Sequence, residues 1–217
     1  MPIKMIKNII SIVILVCFSL VIYAQDSQYK ILKDPTEFKA KLKESISDIS
    51  SIKSEFTQDK RLDIFEETIE SEGIFYYQKE NKVRWEYTSP IHYTIILNGE
   101  KALLQSDNSE KKYDLSSNKF MEKVNELMVG SIQGNILDDN DMFDKEYFVN
   151  DDYYIARLLP KDKNVEDVLH QIEMFFNKND FSVDRLKFTE YTGDYTDIVF
   201  KNKSFNEEIP ADVFKID

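Results

Sequence analysis

This sequence is poor in the residues that most often carry chemistry. It has one cysteine, two histidines, five glycines and one tryptophan in 217 residues. The cysteine, Cys17, sits in an N-terminal apolar run expected to be removed, which leaves no thiol for a disulfide, a thiolate nucleophile or a Cys-ligated zinc. The scattered glycines form no P-loop and no G-x-G-x-x-G, and neither G-x-S-x-G nor H-E-x-x-H occurs. Basic residues are outnumbered, 28 against 40 acidic, for a net charge of −12. Such a surface argues against nucleic acid and against adhesion to anionic headgroups. No low-complexity tract, solenoid repeat or obvious linker is present. The one long apolar run, Ile9–Tyr23, is short for a membrane span, which needs roughly 20 residues.

That run follows Lys4 and Lys7 and ends at Ala24 before polar "QDSQ". This is the order of a secretory signal peptide, so residues 1–24 are expected to be cleaved. Lipid attachment at Cys17 is not expected, because bulky Val16 precedes it and apolar sequence continues beyond it. The exported chain, residues 25–217, is expected to form a single domain. Losing two lysines and no acids takes its net charge to −14. With no disulfide available, its stability must come from a packed core.

What is present is patterned apolar sequence. "KDPTEFKAKLKESISDISSIKSEF" predicts an amphipathic helix with Asp34 as N-cap, Pro35 in the first turn and Glu37 as the capping-box acid. Phe38, Leu42, Ile46, Ile49 and Ile52 share one face of it. From Phe56 the period becomes two. Val83, Trp85 and Tyr87 alternate with Arg84, Glu86 and Thr88, Ser89-Pro90 breaks the strand, and Asn98-Gly99 predicts a hairpin turn with both central residues at positive φ. Gly73 marks a bulge or a close approach. Helical spacing returns at Phe120, Val124, Leu127 and Met128, and strands resume after the acidic "LDDNDMFDKE". The pattern is a sheet interrupted by helices, an α+β chain.

Neither histidine falls in a recognisable site, and His92 reads as a surface or strand-edge residue. The acidic loop fails as a calcium loop: Asp139 and Asp141 fit, but Phe143 and Asp144 stand where an oxygen ligand and the glycine belong. Apolar strand faces without catalytic motifs point to binding, yet a filled sandwich and a hollow barrel share the same periodicity.

Several segments in order resemble one family. Phe56-Thr57-Gln58 follows a helix, then come Gly73, Phe75 and Tyr77, then Arg84-Trp85-x-Tyr87 with Pro90, then Asn98-Gly99. "GDYT" and the closing "IPADVF" complete the series. In this order the chain resembles the periplasmic outer-membrane lipoprotein carriers, the LolA-like family. The resemblance implies an incomplete, strongly curved antiparallel β-barrel with an α-helical lid over an apolar cavity. It implies a carrier without cofactor or metal and not an enzyme, acting as a monomer. An inner-membrane lipoprotein-releasing ABC transporter would load it with acylated lipoproteins or other lipid cargo, and an outer-membrane acceptor would unload it. On that reading Phe75, Tyr77, Val83, Trp85 and Tyr87 face the acyl chains, with Leu42, Ile46, Ile49, Leu127 and Met128 covering them. Many members carry Arg-Pro where this chain has Lys79-Glu80, so Lys79, with Arg84, is the candidate latch for the lid. Lysine keeps the charge and loses the forked hydrogen bonding. A milder "ALLQ" after the turn is a second departure, and both fit a different cargo such as a glycolipid. Competing readings are a carrier or sensor of another lipid, an enzyme working through His92 or a carboxylate, and a purely structural domain.

Overall fold

The structure, a computed structural model, describes residues 29–117, 129–130, 135–138, 142–161 and 169–216. The expected leader, the middle helix carrying Leu127 and Met128, and Asp139 and Asp141 lie outside them. Residues Ile31–Asp217 form one compact unit.

Its helix, α1, spans Thr36–Ser47. Pro35, not the expected Asp34, holds the N-cap position; Asp34 Oδ1, one residue earlier, accepts the Thr36 N–H at 3.0 Å, and its pKa is lowered first by the Thr36 side chain and then by that N–H. Glu37 does not reach back to the cap; it pairs with Lys41 one turn on at 2.7 Å. The helix is shorter than its apolar spacing predicts. It ends at Ser47, whose hydroxyl donates to the Glu44 carbonyl at 2.7 Å. Serine, aspartate and β-branched isoleucine crowd the next five positions, and such residues favour turns and strands over a helix interior. Ile49 therefore lies in the link and Ile52 on the first long strand.

The strands are β1 (Lys30–Ile31), β2 (Ser51–Leu62), β3 (Glu67–Gln78), β4 (Lys82–Ser89), β5 (Tyr93–Asn98), β6 (Lys101–Ser106), β7 (Ser109–Asp114), β8 (Phe143–Val149), β9 (Tyr153–Pro160), β10 (Gln171–Asn177), β11 (Val183–Thr189) and β12 (Tyr195–Phe205). They form one sheet in the order β1-β8-β9-β10-β11-β12-β2-β3-β4-β5-β6-β7. Two up-and-down meanders, β2 to β7 and β8 to β12, are joined where β12 pairs antiparallel with β2. The order does not close on itself, so this is an incomplete, curled antiparallel barrel with a helix, an α+β fold as expected.

Gly73 is a close approach. A Cβ there would lie 1.9 Å from the Glu86 carbonyl oxygen and 2.7 Å from the Phe56 ring. The turn after β5 is set one residue later than the dipeptide predicts. Asn98 pairs with Lys101, and Gly99 alone takes positive φ, 61°, at the first central position. Asn98 is thereby freed to donate from Nδ2 to the Phe214 carbonyl at 3.0 Å. That bond fastens the C-terminal turn Ala211–Phe214 over β4 and β5 on the outer face.

Candidate functional site

The inner face of the sheet, the one toward α1, has a filled part and a hollow part. In the filled part Val83, Leu97 and Ala102 stand side by side across β4, β5 and β6, all fully buried. Beside them Phe56 packs on Trp85 and Tyr87, with ring centroids 5.1 and 5.2 Å apart. Tyr87 Oη donates to Gln58 Oε1 at 2.9 Å. Burial, and then the neighbouring Tyr93, push the Tyr87 phenol up to about 12.

The hollow part is a cavity of about 290 Å³, at the low end of the roughly 300–1,000 Å³ typical of small-molecule sites. Four expected residues line it: Phe75 on β3, Trp85 on β4, Ile46 at the end of α1 and Ile49 in the link. The Ile46–Ile49 spacing carries one apolar row across the helix end. The far wall belongs to the second meander and includes Phe176, Leu186, Phe188 and Phe200, none of them in the set read from the sequence. Their alternation along β10 to β12 was the available signal. Rings packed edge to face join the two walls: Phe200 meets Phe75 at 5.6 Å and Trp85 at 5.8 Å. Small Ser54 on β2, between Ile52 and Phe56, leaves room that a larger side chain would take.

The remaining expected residues have other places. Leu42, Tyr77, Val83 and Tyr87 belong to the packed core and do not line the cavity. Leu42 and Phe38 are the buried residues of α1, and Phe38 stacks on Tyr154 at 4.7 Å and meets Phe176 edge-on at 5.3 Å. These contacts seat α1 on the second meander.

The two latch candidates separate. Lys79 Nζ donates to the Ser47 carbonyl, the last of α1, at 2.9 Å, and the Lys79 amide donates to Ser50 O at 2.9 Å. Since α1 has no basic residue in its own last turn, a lysine from the β3–β4 turn serves its C-terminus. Arg84 cannot act on the helix. It is paired across the sheet with Ile96 on the outer face, and it binds Glu86 at 2.8 Å and the Val213 carbonyl at 3.3 Å. His92 is exposed in the β4–β5 link and is not a cavity residue.

Polar groups on the cavity wall are Ser54, Ser182 and Lys203. Lys203 Nζ donates to Asp184 Oδ1 and Ser182 Oγ, and its side chain is 13% exposed against 17% for Asp184. Other ion pairs sit on the outer face, where Arg185 holds Asp197 at 2.6 Å and Arg157 holds Glu173 at 3.1 Å.

The chain matches the model for the outer membrane lipoprotein carrier protein LolA over residues 47–217. It belongs to the LolA family. Membership makes it an extracytoplasmic protein of carrier type that binds lipid or lipoprotein, in a family of binding proteins, not enzymes. No curated protein matches it in sequence. Among solved structures it is similar to a LolA superfamily protein from Nitrosomonas europaea, at 11% identity over 85% of this chain and 99% of that one, TM-score 0.43. It is also similar to an uncharacterized conserved protein from Thermus thermophilus, at 10% identity over 83% and 93%, TM-score 0.49. A third likeness is to the lipoprotein LppX of Mycobacterium tuberculosis, at 8% identity over 82% and 99%, TM-score 0.43.

Proposed function

We propose that this protein is a periplasmic carrier that shelters the acyl chains of lipoproteins between the inner and outer membranes. The observation that carries the reading is the apolar cavity between α1 and the sheet in a chain of this family. Each CH₂ withdrawn from water contributes ~0.8 kcal/mol, so a long acyl chain costs on the order of 12 kcal/mol to expose. Crossing an aqueous space without a carrier is then negligible. A carrier must also let go, which favours a lining of rings and branched aliphatics over fixed charge pairs. Phe75, Trp85, Ile46 and Ile49 would contact the chain, and Lys79 would hold the helix that covers it. Cleavage after residue 24, a single domain over 25–217, loading by an inner-membrane ABC transporter and unloading to an outer-membrane acceptor complete the proposal.

The small cavity favours a second reading, carriage or sensing of a different, single-chain lipid. Native mass spectrometry of protein taken from its own periplasm separates the two by the mass of the bound species. Depletion in the cell tests the first directly. Lipoproteins destined for the outer membrane should accumulate in the inner membrane, and unaltered sorting would reject the lipoprotein role.

A further inference from the structure

Lys203 is on the wrong face for a strand that simply alternates. On β12 Ile198 and Phe200 point inward, so Val199, Lys201 and Lys203 would all point outward. Between Lys201 and Ser204 the pairing with β2 slips by one residue, and Asn202 takes a positive φ of 51°. The bulge reverses the alternation, so Lys203 and Phe205 both line the cavity. On β11 a second irregularity faces it: Phe175 pairs with Arg185 and Phe176 with Val183, which leaves Asp184 as the extra residue. Two bulges on paired strands therefore bring one lysine and one aspartate together at a wall whose other polar lining residues are Ser54 and Ser182. Bulges commonly re-aim side chains next to functional sites.

An inward ion pair is costly, because desolvating both charges offsets most of their attraction. Its bonds leave something over. The Ser182 hydroxyl donates to Asp180 Oδ1 at 2.7 Å, so toward Lys203 it is an acceptor. Asp184 Oδ2 accepts from Asn177 Nδ2 at 2.9 Å. The ammonium has three N–H groups, two of them directed to Asp184 and Ser182. Lys203 lines the cavity, so a guest there can supply an acceptor for the third.

We propose that Lys203 is the polar anchor of the cavity and takes the carbonyl oxygen of a neutral acyl ester or amide. This rests on the acyl-chain reading of the cavity and specifies the class of guest. A free carboxylate fits less well, since Asp184 already balances the lysine and a second anion beside it meets like charge. The cavity volume suits one chain with its carbonyl at Lys203 and its methylenes against Phe188, Trp85 and Ile49.

The test is displacement of a fluorescent fatty-acyl probe by a fatty-acid methyl ester and by an alkyl ether matched in length but lacking the carbonyl. Wild-type protein should bind the ester about tenfold more tightly than the ether, as a bond to a charged donor is expected to give. Lys203→Met should abolish that preference and leave ether affinity within about twofold. Because the single change strands Asp184, the double variant Lys203→Met/Asp184→Leu is measured beside it, and it should fold and show the same loss. Equal binding of ester and ether by wild-type protein, or an ester preference that survives in both variants, overturns the anchor and leaves the cavity reading intact. Failure of the wild type to bind probe, ester or ether overturns both.

Discussion

The filled and hollow parts of the inner face use the same residue types and differ in what stands opposite. Val83, Leu97 and Ala102 are fully buried in a core cluster that also takes in Leu115, Ile136 and Leu137, so protein side chains cover them. Around Leu186, Phe188 and Phe200 the curled sheet faces a helix of only 12 residues, and the space stays open. Hydrophobic patterning marks a surface that must leave water; whether protein or guest covers it depends on the geometry of the other wall.

The largest effect that tests this contrast is a matched pair of truncations. Leu97→Ala should lower stability by about 2–5 kcal/mol, because its neighbours cannot collapse into the gap. Leu186→Ala should cost about 1–2 kcal/mol less, since part of that side chain already lacks partner atoms. Urea unfolding measures both, and equal losses would erase the distinction.

Next is alkaline pH, at which the Tyr87→Phe comparison isolates one phenol of the filled part. The folded pKa of Tyr87, about 12, lies above the ordinary value near 10. Its neutral form is thus favoured by folding, with a contribution fully present below pH ~10 and lost as pH rises through ~12. Wild-type stability should fall by up to ~2 kcal/mol more than that of Tyr87→Phe across that window. Parallel curves would mean the phenol is not held in a dry site.

Filling the hollow part is the third test. Val183 lines the cavity, and Val183→Phe should reduce acyl-probe affinity about tenfold while stability stays within about 1 kcal/mol. Binding unchanged by this substitution would place the guest elsewhere. Smallest is the latch. Lys79→Ala removes the bond to the Ser47 carbonyl and should cost about 0.5 kcal/mol, with faster hydrogen exchange confined to the amides of α1. Exchange unaltered there would show that the lysine does not hold the helix.

The fold was largely readable because its cues are local. Asp34-Pro35 opens the helix, alternation runs from Phe56, and the order of short motifs carries the family. The errors have physical causes. Apolar spacing continued through Ile49 and Ile52 while the helix stopped at Ser47, since periodicity does not register the serine hydroxyl that competes for the backbone. The resemblance makes Arg84 a latch candidate, but strand parity puts it on the outer face with Glu86. Lys203 was invisible because a bulge alters parity without any change in composition. Tyr77 and Val83 share a strand face with Phe75 and Trp85, and all four belong to the packed core; that Phe75 and Trp85 also line the cavity depends on what lies across from them, which strand parity does not carry.

Trp85, the one tryptophan of the chain, lies on the cavity wall, and bromine quenches indole fluorescence only at contact. Titrating the protein with an acyl chain brominated at mid-length should therefore quench its emission saturably, while the unbrominated chain should not. Saturable binding of the brominated chain with undiminished tryptophan emission would contradict the account, because the guest would then lie outside the hollow beneath α1.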